Sequence, residues 1–113
     1  DFLAVPAMTT VLDANLIQYG QWAWQSLVGV RAKEYVIPIV SADQAFREYA
    51  PNVFTCGGSC IADPSYRFVN NESPFSQALK RTPDEKPYFV SSQISLRSVR
   101  EYATYRREVG LRN

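Results

Sequence analysis

No charged residue lies between Asp13 and Arg31. Within Thr10–Val30, TVLDANLIQYGQWAWQSLVGV, apolar or small residues recur at Leu12, Leu16, Tyr19, Ala23, Leu27 and Val30. That is the three-and-four spacing of one helical face, so the stretch predicts a long helix with this face turned inward. A second set, Val11, Trp22, Trp24 and Val28, points elsewhere, and the amides Gln18, Gln21 and Gln25 remain for water or another polar surface. A surface helix normally carries Lys and Glu on its outer face. This one does not, and is therefore expected to be covered on more than one side. It could be the central helix of its own domain, a helix shared with a partner chain, or a membrane span. The last fits least, because a span needs about 20 predominantly apolar residues. The run here is short and holds Asn15, three Gln, Ser26 and two Gly. Gly20 and Gly29 each lower helix propensity by about 1 kcal/mol relative to Ala, and are expected where another backbone comes close.

A length of 113 residues fits one domain, residues 1–113, with a modest core. At 46% hydrophobic and 20% charged residues the chain is not of disordered composition. Twelve Lys and Arg against eleven Asp and Glu give +1, a balance that argues against a protein built to neutralise phosphates. There is no His, which removes the commonest general base and metal ligand. The chain begins with Asp1, not Met, as expected of a processed chain, an excised domain or a part of something larger. A removed signal peptide would make it extracytoplasmic.

Taken in order, residues 1–8, DFLAVPAM, read as an apolar extended arm lying in a groove. Thr9 or Thr10 is expected to cap the long helix, with Arg31, Lys33 and Glu34 at its solvated end. Tyr35–Val40, YVIPIV, reads as a strand, and Pro38 inside it predicts an edge strand or an extended connection. Ser41–Gln44 resembles a capping box opening a short helix over Ala42–Ala50, with Ala45, Phe46 and Tyr49 on one side and Pro51 as its stop. Asn52–Pro64 is irregular and holds both cysteines. Tyr66–Val69 predicts a strand, Asn70-Asn71 a turn, and Ser73-Pro74 the start of a helix to about Arg81 burying Phe75, Ala78 and Leu79. After the loop TPDEKP, a strand is expected from Tyr88 towards Gln93. Ser92 or Ser95 then caps a last helix to Val109, with Val99, Tyr102, Ala103 and Val109 inward and Gly110 as its stop. The fold class expected is α+β: one long N-terminal helix, two or three shorter helices, and a small sheet of two or three short strands.

CGGSC, Cys56–Cys60, is the sharpest local feature. Glycine permits tight turns, so a small-loop disulfide is expected under oxidising conditions. In the chain-entropy model it adds only about 2 kcal/mol and shapes a loop tip. The alternatives are two thiols or a metal. Zinc normally needs four Cys or His ligands, so no metal or cofactor is expected. Gly57-Gly58 lacks the Lys-Ser/Thr of a phosphate loop. Asn71-Glu72-Ser73 fits a glycosylation triplet, but Pro74 argues against its use. The carboxylates form no acid–base spacing, and without His the ordinary Ser and Cys triads are excluded.

The C-terminal RSVREYATYRREVGLR mixes Arg with Tyr102 and Tyr105. It suits a solvated helix with Arg97 and Glu101 four apart, or a protein interface, better than single-stranded nucleic acid or acidic lipid. The sequence therefore leads us to expect a non-enzymatic protein-interaction or structural subunit of a larger extracytoplasmic assembly. Its partners would be other protein subunits in a homo- or hetero-oligomer, with no metal and no nucleic acid, in a setting compatible with proximity to a membrane surface but without a spanning helix. The partner-facing residues expected are Phe2, Leu3, Trp22 and Trp24, then Tyr102 and Tyr105. The alternative is an extracytoplasmic small-ligand-binding sensor domain, with the aromatic and amide stripe lining a pocket under a CGGSC lid.

Overall fold

The structure is a computed structural model that describes residues 2–45, 47–65, 79–81 and 92–109. Helix and sheet are mixed, as expected of α+β, but strands take a larger share than the sequence suggested. Two α-helices and two sheets are present among the described residues.

The apolar arm becomes a strand. β1, Leu3–Ala7, pairs in parallel with β3, Ile39–Asp43, in register Leu3 to Ile39 and Ala7 to Asp43. Pro6 is tolerated because β1 lies at the sheet edge, where a missing donor leaves no ladder bond unmade. Pro38 immediately precedes β3. Its carbonyl accepts from Leu3 N at 2.9 Å, the one hydrogen-bonding role that proline keeps. This corrects the expectation of an edge strand: β3 is internal, flanked by β1 and by antiparallel β6, Cys60–Ala62. β7, Leu79–Arg81, completes a four-stranded sheet in the order β1-β3-β6-β7. The second sheet is three-stranded, β2-β5-β4, from Thr10–Val11, Val53–Thr55 and Arg47–Ala50.

The helix expected over Ala42–Ala50 does not form. Its first residues finish β3, and Arg47–Ala50 pair with β5. Pro51 does not stop a helix but helps turn a hairpin. Proline presets φ, and Asn52 takes the left-handed conformation at φ 60, which its short side chain tolerates. Ser41, read as the cap, accepts from Trp24 instead, and the neighbouring Asp43 is likewise used in tertiary hydrogen bonds. Ladder pairing here overrides local propensity. Leu79–Arg81, the end of another expected helix, are likewise strand. The expected elements at 66–69, 70–71, 73–78 and 88–91, with Phe46 and the stop at Gly110, lie outside the described residues. Gln93 is described and is not strand.

The long helix, α1, runs Ile17–Tyr35, later than expected. Thr10 belongs to β2, and the cap is Asp13, whose carboxylate accepts from Asn15 N at 2.9 Å to start a 3-10 turn, Ala14–Leu16. Among the described residues no helix is long and apolar enough to cross a membrane. α1 lies against β2, β3 and β6, and its inner stripe is Gln21, Gln25, Val28 and Ala32. Val28 and Ala32 join Ile39, Cys60 and Ala62 in the core, with Val5, Trp24 and Ile37 packed around them. α2, Leu96–Glu108, is capped by Ser95 Oγ, which accepts from Ser98 N at 3.1 Å. Val99 is buried and Tyr102 and Ala103 half-buried, as expected, but Val109 is exposed.

α1 ends at Val36, a β-branched residue held at φ 53. A left-handed conformation at such a residue costs on the order of 1–3 kcal/mol. Val36→Asn, which suits that conformation, is expected to raise stability by about 1 kcal/mol in urea unfolding. A loss of stability would show that the Val36 side chain outweighs the backbone strain.

Candidate functional site

Besides the passage through α1 from β2 to β3, three short connections cross between the two sheets: Met8–Thr9 from β1 to β2, the segment after β3 to β4, and Cys56–Ser59 from β5 to β6. They converge on the carboxylate of Asp43. Its Oδ1 accepts from Thr9 N and Gln44 N, both at 2.9 Å, and its Oδ2 accepts from Gly58 N at 2.8 Å and from Thr9 Oγ1. Ser59 Oγ accepts from Asp43 N at 2.8 Å and donates to Asp43 O at 3.2 Å. Backbone bonds run Cys56 N to Thr9 O at 3.0 Å and Gly57 N to Gln44 O at 3.0 Å. Thr55, fully buried, accepts from Arg47 N at 2.9 Å and donates to Ala45 O at 2.5 Å.

The sequence CGGSC suits this junction. Gly57 adopts φ 68, which favours glycine. At Gly58 a Cβ would sit 3.0 Å from Asp43 Oδ2 and 3.6 Å from the Gln21 Cα, so the loop can approach both the carboxylate and α1. No disulfide joins Cys56 and Cys60. The two thiols serve different places: Cys60 lies in the core cluster, whereas Cys56 abuts Gly20. Burial pushes the Cys56 thiol above its ordinary value of 9.0, and the Asp43 charge adds to the rise while a hydrogen bond with Thr9 opposes it. Among the described residues no group of three His, Cys, Asp or Glu could hold a metal.

α1 seats on this junction through its polar inner stripe. Gln21 Nε2 donates to Cys56 O at 2.6 Å, and Trp24 Nε1 donates to Ser41 Oγ at 3.0 Å. Of the amides expected to meet water or another polar surface, Gln18 is exposed, whereas Gln21 and Gln25 are buried and Gln21 meets a loop carbonyl. The reason is steric and polar together. Gly20, Val28 and Ala32 let the helix come close, and the Gln21 amide satisfies a loop carbonyl that leucine would leave unpaired.

The face expected inside is outside. Leu16, Tyr19, Leu27 and Val30 are exposed, Ala23 is half-buried, and Leu12 just before the helix is 76% exposed. Trp22 is 60% exposed, its ring centroid 6.0 Å from that of Tyr19. The six expected contact residues are therefore dispersed. Trp22 stands on this face. Phe2 and Leu3 are exposed at the start of β1, and Tyr105 is exposed on α2. Trp24 is packed on the core. Tyr102 sits under Lys33 Nζ, 4.3 Å from its ring centroid, and beside Arg106 at 6.0 Å. It helps join α2 to α1, where Arg106 also donates to the terminal carbonyls of Lys33 at 2.5 Å and Glu34 at 2.9 Å. Sequence reasoning found Leu16, Tyr19, Leu27 and Val30 of the outer stripe by their period, but assigned Trp22 to a second set with Trp24 and Val28, of which only Trp22 is exposed. It missed the stripe's exposure, since two uncharged stripes compete and periodicity cannot rank them.

No protein-family model matches this chain, and no curated protein or solved structure matches it.

Two expectations check the junction. A Cβ at Gly20 would lie 2.6 Å from Cys56 Sγ and 3.0 Å from Val11 Cγ1. Gly20→Ala should therefore destabilise by about 1–3 kcal/mol, despite alanine's better helix propensity. Adding Cys56→Ala should recover part of that loss in a double-mutant cycle, and additive losses would refute the contact. The raised Cys56 thiol fixes a pH sign. The unfolded chain releases this proton first, so stability is level below the ordinary value and falls as pH rises past 9.0. Urea unfolding at rising pH should show a shallower decline in Cys56→Ala, and an unchanged slope would contradict the assignment.

Proposed function

We propose that this chain is a non-enzymatic interaction subunit that docks another protein on the outward face of α1. The observation that carries this reading is the exposure of Leu16, Tyr19, Trp22, Leu27 and Val30 along one helix face without a charge between Asp13 and Arg31. Contiguous apolar patches of this kind mark interaction sites, and Trp and Tyr are the side chains that dominate binding energy. The chain's reactive-looking groups support a structural role. Both oxygens of Asp43 accept from donors that hold the crossovers, and the Cys56 thiol is buried and kept protonated, contrary to what a nucleophile needs. On α2, Arg97 pairs with Glu101 at 3.2 Å and Arg106 is turned onto α1, so part of the Arg excess is engaged internally. An extracytoplasmic setting would draw support from oxidised cysteines, and CGGSC is not closed here.

The joint variant Leu16→Gln, Tyr19→Ser, Trp22→Ser and Leu27→Gln tests the reading. Because these side chains are exposed, unfolding free energy should move by no more than about 2 kcal/mol in total. A photo-crosslinking residue in place of Trp22 should give one discrete adduct in the producing cells, and the same residue at exposed Tyr49 should not. No adduct from position 22, or collapse of the joint variant, would overturn the assignment.

A further inference from the structure

The stripe on α1 has a symmetry that the docking reading does not by itself require. About Ala23, four of the exposed apolar residues fall at four and seven positions on either side, Tyr19 with Leu27 and Leu16 with Val30, while Leu12 and Trp22 have no such counterpart. Such spacing reads the same from both ends of the helix. A two-fold interface demands this property, since residue i of one copy must meet residue j of the other and j must meet i. The smallest side chain sits at the centre, where two helices approach most closely, at an interaxial distance of about 8 Å.

We propose that the occupant of this face is a second copy of the same chain, paired antiparallel through α1 with Ala23 on the two-fold axis. The proposal rests on the docking reading above and names the partner. Leu16 of each copy meets Val30 of the other, and Tyr19 meets Leu27. Trp22, one position from the axis, stands beside the second copy's Trp22 on one flank. Charge agrees with this direction. Asp13 lies at one end of the uncharged run and Arg31 at the other. Antiparallel pairing brings Asp13, which caps the 3-10 turn ahead of α1, towards the end of the second copy's helix that carries Arg31 and Lys33. Arg31 is half-exposed and pairs with Glu34, which leaves guanidinium donors for a second carboxylate. The opposite direction would set Asp13 against Asp13 and Arg31 against Arg31. Antiparallel helices also oppose their dipoles. The area is adequate: the exposed parts of Leu12, Leu16, Tyr19, Trp22, Leu27 and Val30 offer on the order of 600 Å² per copy, near the roughly 800 Å² per partner of a standard interface.

Single cysteine substitutions read the register, because native Cys56 and Cys60 are buried. Under mild oxidation, Ala23→Cys should cross-link to itself. Leu16→Cys and Val30→Cys should each stay uncross-linked alone and link when mixed. Sedimentation equilibrium should give twice the chain mass, falling to the chain mass in Tyr19→Glu, whose circular dichroism should stay that of the parent. Self-linking of Leu16→Cys would overturn the antiparallel arrangement. A monomer at every concentration would overturn self-pairing. If the Trp22 photo-adduct then has a mass other than two chains, the docking reading survives with a different occupant, whereas no adduct at all removes both.

Discussion

One carboxylate ties this molecule together. Both sheets draw strands from separate parts of the chain, so besides the passage through α1 the chain crosses between them on three short segments, where backbone donors leave the ladders. Asp43, at the end of β3, accepts from Thr9, Gln44 and Gly58, one on each crossing segment. Hydrogen bonds to a charged acceptor are worth about 1.5–3 kcal/mol each, and leaving their donors unmet would cost a similar amount. Among the described residues no buried side-chain nitrogen or oxygen lacks a partner. The need to satisfy the crossings explains why an acidic residue, two glycines and two hydroxyl side chains gather at one point.

The orientation of α1 follows from that junction. A helix laid over the crossings must meet loop carbonyls and closely spaced backbone, not an oily surface. Gln21 and Trp24 supply donors, while Gly20, Val28 and Ala32 supply room. The bulkier leucines and Tyr19 are thereby turned out. The docking surface is thus a consequence of the polar seat beneath it, and the same rotation of the helix about its axis accounts for both. At the far end, Arg106 and the Tyr102 ring hold α2 against the last turn of α1, so α1 is fixed at both ends with its outer face clear.

The legible parts of the sequence were those where local chemistry and tertiary environment agree. Ser92 or Ser95 before an apolar-periodic run indicated α2, capped by Ser95, and the absence of charge from Asp13 to Arg31 indicated a long helix, though not the exposure of its second face. The segment Ala42–Ala50 misled because a capping-box pattern is a local signal: Ser41 is engaged by Trp24, and the neighbouring Asp43 by Thr9 and Gly58, residues that lie 15 and more positions away in the chain. Pro38 misled in the same manner: its missing donor was read as a bar to an internal strand, whereas it stands just outside β3 and uses its carbonyl.

The sequence alone determined the helical period of residues 16 to 30, the lack of charge along it, a helix start at Ser92 or Ser95 and the glycines of CGGSC, because these depend on spacing and on backbone conformations that few residues adopt. Only the tertiary structure decided which stripe of α1 is buried, that the arm is a strand, and that Asp43 is the meeting point of three crossings. Those outcomes depend on partners distant in the chain: a helix with two uncharged stripes turns inward the one whose shape and donors match what lies beneath, and that surface exists only after the strands have paired.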